Sequence, residues 1–374
     1  MIQRVIESQI QEKLFKGKII TLIGARQTGK TSLLKKLITT QTEPIIWLNA
    51  DEFDIRERFK NPTSTSLKSL IGNNKLVIID EAQNIDEIGL ALKLLVDTYP
   101  EIQVIATGSS AFELQNKTNE PLTGRKFEFY LYPFSYKELE NHTSELIEKR
   151  MLNHRLVFGS YPEVVNNAGK EIEVLKLLSD SYLYRDILML DAIKKPEKLI
   201  KLLQALAYQL GNEVSYNEIG NLIGLDSKTV ESYIQLLEKS FVVFRLPSFS
   251  RNLRNELKAS KKIYFYDNGI RNALISSFQI LEGRQDIGAL WENYLVSERL
   301  KRNQYANFYG NMYFWRTKDK QEIDYLEEID SKLSAFEFKW MNKKKHRITK
   351  TFTNAYPESE VSIIHSSNYK DFVG

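Results

Sequence analysis

An α/β fold centred on a parallel sheet is predicted for the first part of this chain by three observations. An apolar, strand-sized run, Ile19–Ile23, leads into a glycine loop and then a segment with Leu33, Leu34, Leu37 and Ile38 at helical spacing. A second run, Leu76–Ile79, ends in Asp80-Glu81, and a third, Ile102–Thr107, ends in Gly108-Ser109-Ser110. Continuous apolar runs suit strands covered on both faces, as parallel sheets provide. Open α/β sheets gather their ligands at the C-terminal ends of such strands.

Residues 2–16 carry Ile2, Val5, Ile6, Ile10 and Leu14 at helical spacing, so a helix is expected beside the first strand. Gly24, four residues, then Gly29-Lys30-Thr31 is the spacing of the phosphate-binding P-loop. Glycines let successive backbone N–H groups point at phosphates, and the helix N-terminus adds partial positive charge. A nucleoside triphosphate is thus the expected ligand, contacted by Gly24, Arg26, Gln27, Thr28, Gly29, Lys30, Thr31 and Ser32. Lys30 is placed for the β- and γ-phosphates and Thr31 for magnesium.

A strand at 44–49, a charged stretch at 51–58 and a Thr/Ser-rich loop at 63–66 come next. The run ending in Asp80-Glu81 has the Walker B pattern. Asp80 is expected to hold magnesium and Glu81 to polarise the attacking water, a contribution of about 10²- to 10⁴-fold for a general base. The competing reading makes Glu81 a cap of the following helix. Ser109, with Ser110 beside it, can read the γ-phosphate or orient water; otherwise the pair is a turn into a helix at 111–114. Leu122-Thr-Gly-Arg125 stands just before a strand from Phe127 to Tyr132, and by residue type alone Arg125 reads as a solvated arginine at a helix end.

Composition narrows the remaining classes. A chain of 374 residues can hold two or three cores, and 42% hydrophobic with 27% charged residues is ordinary for a globular protein. The absence of cysteine excludes disulfides and thiolate metal sites, and four scattered histidines argue against zinc. Neither a membrane-spanning run nor a secretory leader is read, which points to a cytoplasmic protein without membrane partners. A net charge of +4 is too small to mark a nucleic-acid binder by itself.

Residues 145–195 read as helical, interrupted at Phe158-Gly-Ser-Tyr-Pro162, with a further amphipathic stretch from Tyr182 through Tyr184-Arg185-Asp186. Residues 197–247 have a helix-turn-helix pattern. Leu199–Leu210 forms a first helix, Ser215 to Gly224 a second, and Lys228–Lys239 a third, capped by Asp226-Ser227, with Val230, Ile234 and Leu237 inward. Phe241–Leu246 reads as the first strand of a wing. The third helix exposes Lys228, Glu231, Gln235 and Glu238, and two acids are a poor set for reading bases. DNA contact and a pure packing role are both open. The loop that follows is more basic, with Arg245, Arg251, Arg254, Lys258, Lys261 and Lys262 against Glu256.

The last hundred residues hold a second constellation. A helix from Gly288 carries Leu290, Glu292, Tyr294, Leu295 and Glu298, and strands are expected at 313–316, 321–326 and 335–340. Alternation puts Phe336, Phe338 and Trp340 on one face and Glu337 and Lys339 on the other, while Ile323 and Tyr325 form the apolar set opposite Asp324. An Asp, about a dozen residues, then Glu-x-Lys is the spacing of PD-(D/E)XK nucleases. Asp324 and Glu337, with Glu292, are candidate metal ligands, and Lys339 can activate water. Lys339 can equally be a counter-ion in an inert structural cluster. The run Lys343–Arg347 can grip phosphates or be a solvated turn.

Together these motifs resemble a large prokaryotic group of AAA-type ATPases whose C-terminal half holds a winged helix and a restriction-endonuclease-like domain of unassigned function. The resemblance covers nearly the whole chain. It is carried by Gly24–Thr31, Asp80-Glu81-Ala-Gln83, Gly108-Ser-Ser, Leu122-Thr-Gly-Arg125 and Tyr132-Pro-Phe-Ser. Farther on it includes Gly159-Ser-Tyr-Pro162, Tyr184-Arg-Asp186, Tyr264-Phe-Tyr-Asp267-Asn-Gly269, Trp291-Glu292-Asn, Glu322-Ile-Asp324 and Glu337-Phe-Lys339. Ser160 departs from it, standing where that group usually has a second glycine. The resemblance implies ATP and Mg²⁺ as cofactors. It also implies an arginine finger at Arg125, ahead of the fifth core strand, which would require a homo-oligomer. The domains expected are an AAA-type core at 1–145, a helical lid at 146–195, a winged helix at 196–270 and a nuclease-like domain at 271–374. Two functions follow: an ATPase acting on or near DNA, or a nucleotide-driven switch whose C-terminal half is an inactive partner-binding module.

Overall fold

The apolar runs of the first part pair as β1 (Ile19–Ile23), β2 (Ile45–Asn49), β3 (Leu76–Asp80), β4 (Gln103–Gly108) and β5 (Lys126–Tyr130). They form one sheet in the order β2-β3-β4-β1-β5, with every neighbouring pair parallel. The three inner strands are buried along their whole length, which is why they read as unbroken apolar runs. The edge strands are half-buried and admit Asn49, Lys126 and Glu128. The structure, a computed structural model, describes residues 2–109, 118, 121–183, 195–251, 261–342 and 348–374. The reading of a helix over 2–16 shortens to Ile6–Lys13, although Ile2 and Leu14 are still buried and Phe15 turns the chain at φ 57°.

The chain divides into two compact units, Met1–Phe134 with Lys239–Phe241, and Ser135–Glu238 with Val242–Gly374. The first unit ends before residue 145 for a physical reason. Ser135 caps the helix Tyr136–His142 in a reciprocal box with Glu138, and the Tyr136 N–H donates to the buried Glu298 carboxylate at 2.6 Å. Apart from residues 239–241, the segments 146–195, 196–270 and 271–374 fall within the second unit. Buried polar side chains join them. Asp267 accepts from the Ser160 N–H at 2.7 Å, Asn272 donates to the carbonyls of Leu156 and Val157, and Asn293 exchanges bonds with both backbone groups of Phe265. Ser160 serves there through its backbone N–H, so the departure from glycine costs this joint nothing.

In the middle of the second unit the helix Pro196–Tyr208 is followed by β6 (Glu213–Val214) and the helices Tyr216–Ile223 and Ser227–Lys239. Then come β7 (Val243–Pro247) and β8 (Lys261–Phe265), in an antiparallel sheet of order β6-β8-β7. Ser215 and Asp226 accept from the N–H groups of Glu218 and Thr229, and Gly224 closes the middle helix in the left-handed region. Val230, Ile234 and Leu237 are fully buried. Two expectations about charge are corrected. Glu238 does not face out freely, because Arg245 donates to it through both its backbone N–H and its guanidinium. Lys262 belongs to no solvated basic loop: it lies in β8 and is 1% exposed. Arg254, Glu256, Lys258 and Lys343–Arg347 lie outside the described residues, as do Ser110, the helix at 111–114 and Tyr184-Arg185-Asp186.

The last part runs from the helix Ile287–Tyr305 through β9 (Asn311–Arg316), β10 (Glu322–Ile329) and β11 (Lys332–Phe338) to β12 (Glu360–Ile364), in the sheet order β12-β11-β10-β9. β10 is antiparallel to both neighbours, and β12 joins β11 in parallel after a short helix, Lys350–Ala355. Strict alternation along β10 fails. A bulge against β9 between Ile323 and Leu326 brings these two into one apolar cluster with Tyr313, Trp315 and Phe352. Tyr325 instead packs against Phe336, Phe338 and Phe372. An extra residue on one strand breaks the period-2 rule at the point where it sits. No described helix is long and apolar enough to cross a membrane.

The joint is pH-sensitive in a definite direction. Burial raises the Asp267 carboxyl above its usual range, against the pull of Lys301 and of the N–H groups it accepts from. Its contribution to stability is therefore full below the ordinary carboxylate pKa and is lost as pH rises through the elevated one. Asp267→Asn removes that titration at the cost of a buried hydrogen bond, about 1–3 kcal/mol. Melting temperatures should show the variant's deficit largest near pH 4 and shrinking toward pH 7; a deficit that grows with pH would contradict this.

Candidate nucleotide site and carboxylate cluster

The loop between β1 and the helix Lys30–Ile38 is shaped by two glycines. Gly29 sits at φ 95° as the residue before the helix. A Cβ on Gly24 would lie 2.1 Å from the Leu131 carbonyl oxygen, so only glycine lets the loop leave β1 alongside β5. Gln27 is also left-handed, at φ 58°. Lys30 is 5% exposed and its ammonium donates to the Gly24 and Ala25 carbonyls at 2.8 and 3.0 Å, inside the loop it is expected to serve. Thr28 closes the loop by donating to the Ala25 carbonyl at 2.7 Å. Arg26 and Ser32 lie in the loop and the helix's first turn.

Strand order brings the other candidates to this loop. β4 lies between β1 and β3, so its tip enters between the loop and Asp80. Thr31 Oγ1 donates to Asp80 Oδ2 at 3.1 Å, and Thr107 Oγ1 donates to Asp80 Oδ1 at 2.5 Å. The Glu81 N–H donates to the same Thr107 hydroxyl at 3.0 Å. Glu81 is left-handed at φ 52° and its side chain makes no capping hydrogen bond to the turn that follows. Its carboxylate accepts from Gln83 Nε2 at 2.6 Å, and the same amide nitrogen donates to Ser109 Oγ at 3.1 Å. Glu81 and Ser109 are thus joined through Gln83.

Three residues beyond those chosen from the sequence matter here. Thr107 was visible only as the last residue of a strand, and its bond to Asp80 follows from the parallel register. Gln83 stood in the motif but carried no assigned task. Arg4 gave no signal at all: it is 5% exposed and donates to the Thr28 carbonyl at 3.0 Å and the Tyr132 carbonyl at 2.5 Å. Arg125 lies at the N-terminal end of the strands, opposite the end that carries the glycine loop. Its carbonyl accepts from the Ile19 N–H at the start of β1, and its Nε pairs with Asp97 at 2.6 Å, with 40% of the side chain exposed. That bond to Asp97, with the carboxylate's charge, raises the guanidinium's already high pKa.

Magnesium fits the nucleotide site. The donor set of Thr31 hydroxyl and Asp80 carboxylate, close together beside Lys30, is the all-oxygen set that ion takes.

In the second unit, Asp324 and Glu337 are direct cross-strand partners, since Tyr325 pairs with Phe336 in the antiparallel register. They share a face. The carboxylates with oxygens within 4.8 Å of one another are nevertheless Glu292, Glu322 and Asp324. Glu337 is not of that group; its Oε1 accepts from Lys339 Nζ at 2.6 Å. Asp324 Oδ2 accepts from the Phe338 N–H at 2.7 Å. Burial, with Glu292 and Glu337 nearby, holds Asp324 well above the usual carboxylate range; burial also raises Glu337, against Lys339. Lys262, unread as part of this site, enters from β8. It pairs with Glu292 at 2.8 Å and with Glu322, and Tyr264 Oη donates to Glu292 at 2.6 Å. Burial opposes the ammonium, but Glu292, Asp324 and Glu322 outweigh it and raise its pKa. A divalent metal does not fit this cluster as it stands, because a buried ammonium already holds two of the three carboxylates.

Comparison with known proteins agrees with the first unit's architecture. Residues 16–140 match an AAA domain, residues 149–280 a domain of unknown function (DUF8612), and residues 287–371 another (DUF4143). An uncharacterised protein of Mycobacterium tuberculosis is 24% identical, over 90% of this chain and 74% of its own length. One from Methanocaldococcus jannaschii is 26% identical, over 86% of this chain and 75% of its own. Among solved structures, a Walker-type ATPase of Pyrococcus abyssi superposes with a TM-score of 0.51 at 16% identity, covering 74% of this chain and 96% of that one. Residues 16–140 thus carry an AAA-type domain with the P-loop ATPase fold, followed by a further α/β unit with a mixed sheet.

Proposed function

We propose that this protein binds ATP with magnesium and hydrolyses it. The observation that carries the reading is the placement of Asp80 beside Thr31 and Thr107 at the sheet's C-terminal edge, with Glu81 next in the chain. Lys30 supplies positive charge for the β- and γ-phosphates, and the loop's N–H groups cradle them. Thr31 and Asp80 would hold the magnesium ion, which when bound neutralises phosphate charge. Glu81, freed of capping duty, takes the proton of the attacking water. Gln83 ties that carboxylate to Ser109, the residue just past β4, which favours Ser109 as the residue that senses the γ-phosphate. Lys30→Ala should abolish ATP binding, whereas Glu81→Gln should still bind ATP and turn over at least ~10²-fold more slowly. Equal turnover in Glu81→Gln and wild type would remove the base assignment.

Arg125 stands at the far end of the strands from the P-loop of its own chain. The five-residue strand between them spans roughly 16 Å. It can therefore act only on a nucleotide held by a second copy, in a homo-oligomer, after leaving Asp97. A finger of this kind contributes about 10³- to 10⁵-fold. Specific turnover should rise with protein concentration, and Arg125→Ala should lose rate while keeping ATP affinity; undiminished turnover in that variant would exclude the role.

For the second unit, the β6-β8-β7 sheet and its three helices are read as a winged helix, and β9–β12 with the helix Ile287–Tyr305 as a PD-(D/E)XK-like fold. The seating of Lys262 among the carboxylates favours the switch over the nuclease: ATP hydrolysis changes the state of a C-terminal half that binds a partner and does not cut DNA. Action on DNA is tested directly. Counterion release would give DNA affinity a steep logarithmic salt slope, about −0.9 for each phosphate neutralised. With Arg245 and Lys262 engaged in ion pairs, the expected slope is shallow; a steep one would restore the DNA reading.

A further inference from the structure

The spacing of Asp324, Glu337 and Lys339 suggests a metal-holding cluster, and the structure disagrees with it at one residue. Lys262 is contributed by β8, paired through β6 with Glu213 and through β7 with Leu246, and so belongs to the three-stranded sheet and not to β9–β12. Its side chain is 1% exposed and reaches Glu292 on the helix Ile287–Tyr305 and Glu322 on β10. The Phe314 ring lies 5.3 Å from the ammonium, closing its apolar side. Arg316 brings further positive charge to Glu322 at 3.5 Å. The loop before β6 is shaped to this arrangement: a Cβ on Gly211 would come within 3.1 Å of Glu292 Oε2.

We propose that Lys262 is the cluster's own cation, standing in place of a divalent metal among Glu292, Glu322 and Asp324, so that the three-stranded sheet holds this site closed. Three carboxylates within 4.8 Å of one another repel strongly unless a cation joins them. A buried ammonium with two carboxylate partners and the Tyr264 hydroxyl on one of them satisfies that need. A divalent ion would have to displace it. The carboxylates can accept a metal only when β8, and with it the helix-turn-helix segment, withdraws Lys262. This goes beyond the switch reading by naming the contact that keeps the site shut, and it makes no use of the P-loop.

The test is manganese(II) binding followed by electron paramagnetic resonance on nucleotide-free protein. An Asp80→Asn background silences the nucleotide site. With Lys262 intact, no manganese binding should depend on Asp324: the background protein and its Asp324→Asn derivative should titrate alike. Lys262→Met, which keeps the unbranched apolar stem and removes the terminal ammonium, should gain one manganese site, at least about tenfold tighter than the background. That site should vanish on adding Asp324→Asn, and Lys262→Arg should stay closed. Asp324-dependent manganese binding with Lys262 intact would overturn the proposal, and so would a folded Lys262→Met protein without the gain. The comparison with Lys262 intact decides the matter even where Lys262→Met does not fold. ATP turnover at the P-loop is a separate readout, so failure there and failure here are distinguishable.

Discussion

The parallel pairing of β4 with both β1 and β3 is the constraint on which the first unit depends. Because β4 lies between the strand that feeds the glycine loop and the strand that ends in Asp80, its tip has to project into the space between them. Thr107 sits there and bonds at once to the Asp80 carboxylate and the Glu81 N–H. A single hydroxyl thus fixes both the orientation of one acid and the backbone of the next. The left-handed turn at Glu81, which is uncommon for a glutamate, is held by that bond. Without β4 in the middle, Asp80 would adjoin the P-loop strand directly and nothing would steer Glu81 away from the following helix.

The second unit is organised by buried polar groups. Asp267, Asn268, Asn272 and Asn293 are each no more than 4% exposed, and together they connect segments more than a hundred residues apart. Such groups are costly unless every partner is in place, so they specify one arrangement of helices where apolar contacts alone would tolerate several. Motif residues around Gly159, Asp267 and Asn293 are placed at this joint. Their chemistry is directional hydrogen bonding to main-chain atoms.

The sheet of the first unit was legible because its inner strands are covered on both faces and leave an unbroken apolar trace. The glycine loop and the carboxylate end of β3 were legible for a related reason: each is marked by spacing along one segment. What could not be read was whatever depends on register between strands. Thr107 opposite Asp80, the bulge that separates Ile323 from Tyr325, and Lys262 reaching Glu292 and Glu322 are all products of pairing between distant runs. Lys262 misled most. Beside Lys261, and after a basic stretch, it looks like a surface charge, whereas its neighbours in space are acids contributed 30 and 60 positions later. Arg4 failed to register for the same reason, since nothing near it in the chain explains its burial.

Arg4 also bears on how this unit is made. Its guanidinium joins residue 28 of the glycine loop to residue 132 beyond the fifth strand, and its cation lies 4.7 Å from the Phe134 ring. The loop is therefore held from outside by a contact whose two anchors are more than a hundred residues apart in sequence. Contacts of such long range form late, because the chain between them must be ordered before their closure is rewarded. A partly folded chain can form the helix Lys30–Ile38 by local hydrogen bonds alone, yet β1 waits for β4 and β5, and the loop between lacks the brace that sets the carbonyl of Thr28. During synthesis, that brace stays incomplete until the segment carrying Tyr132 and Phe134 has left the ribosome.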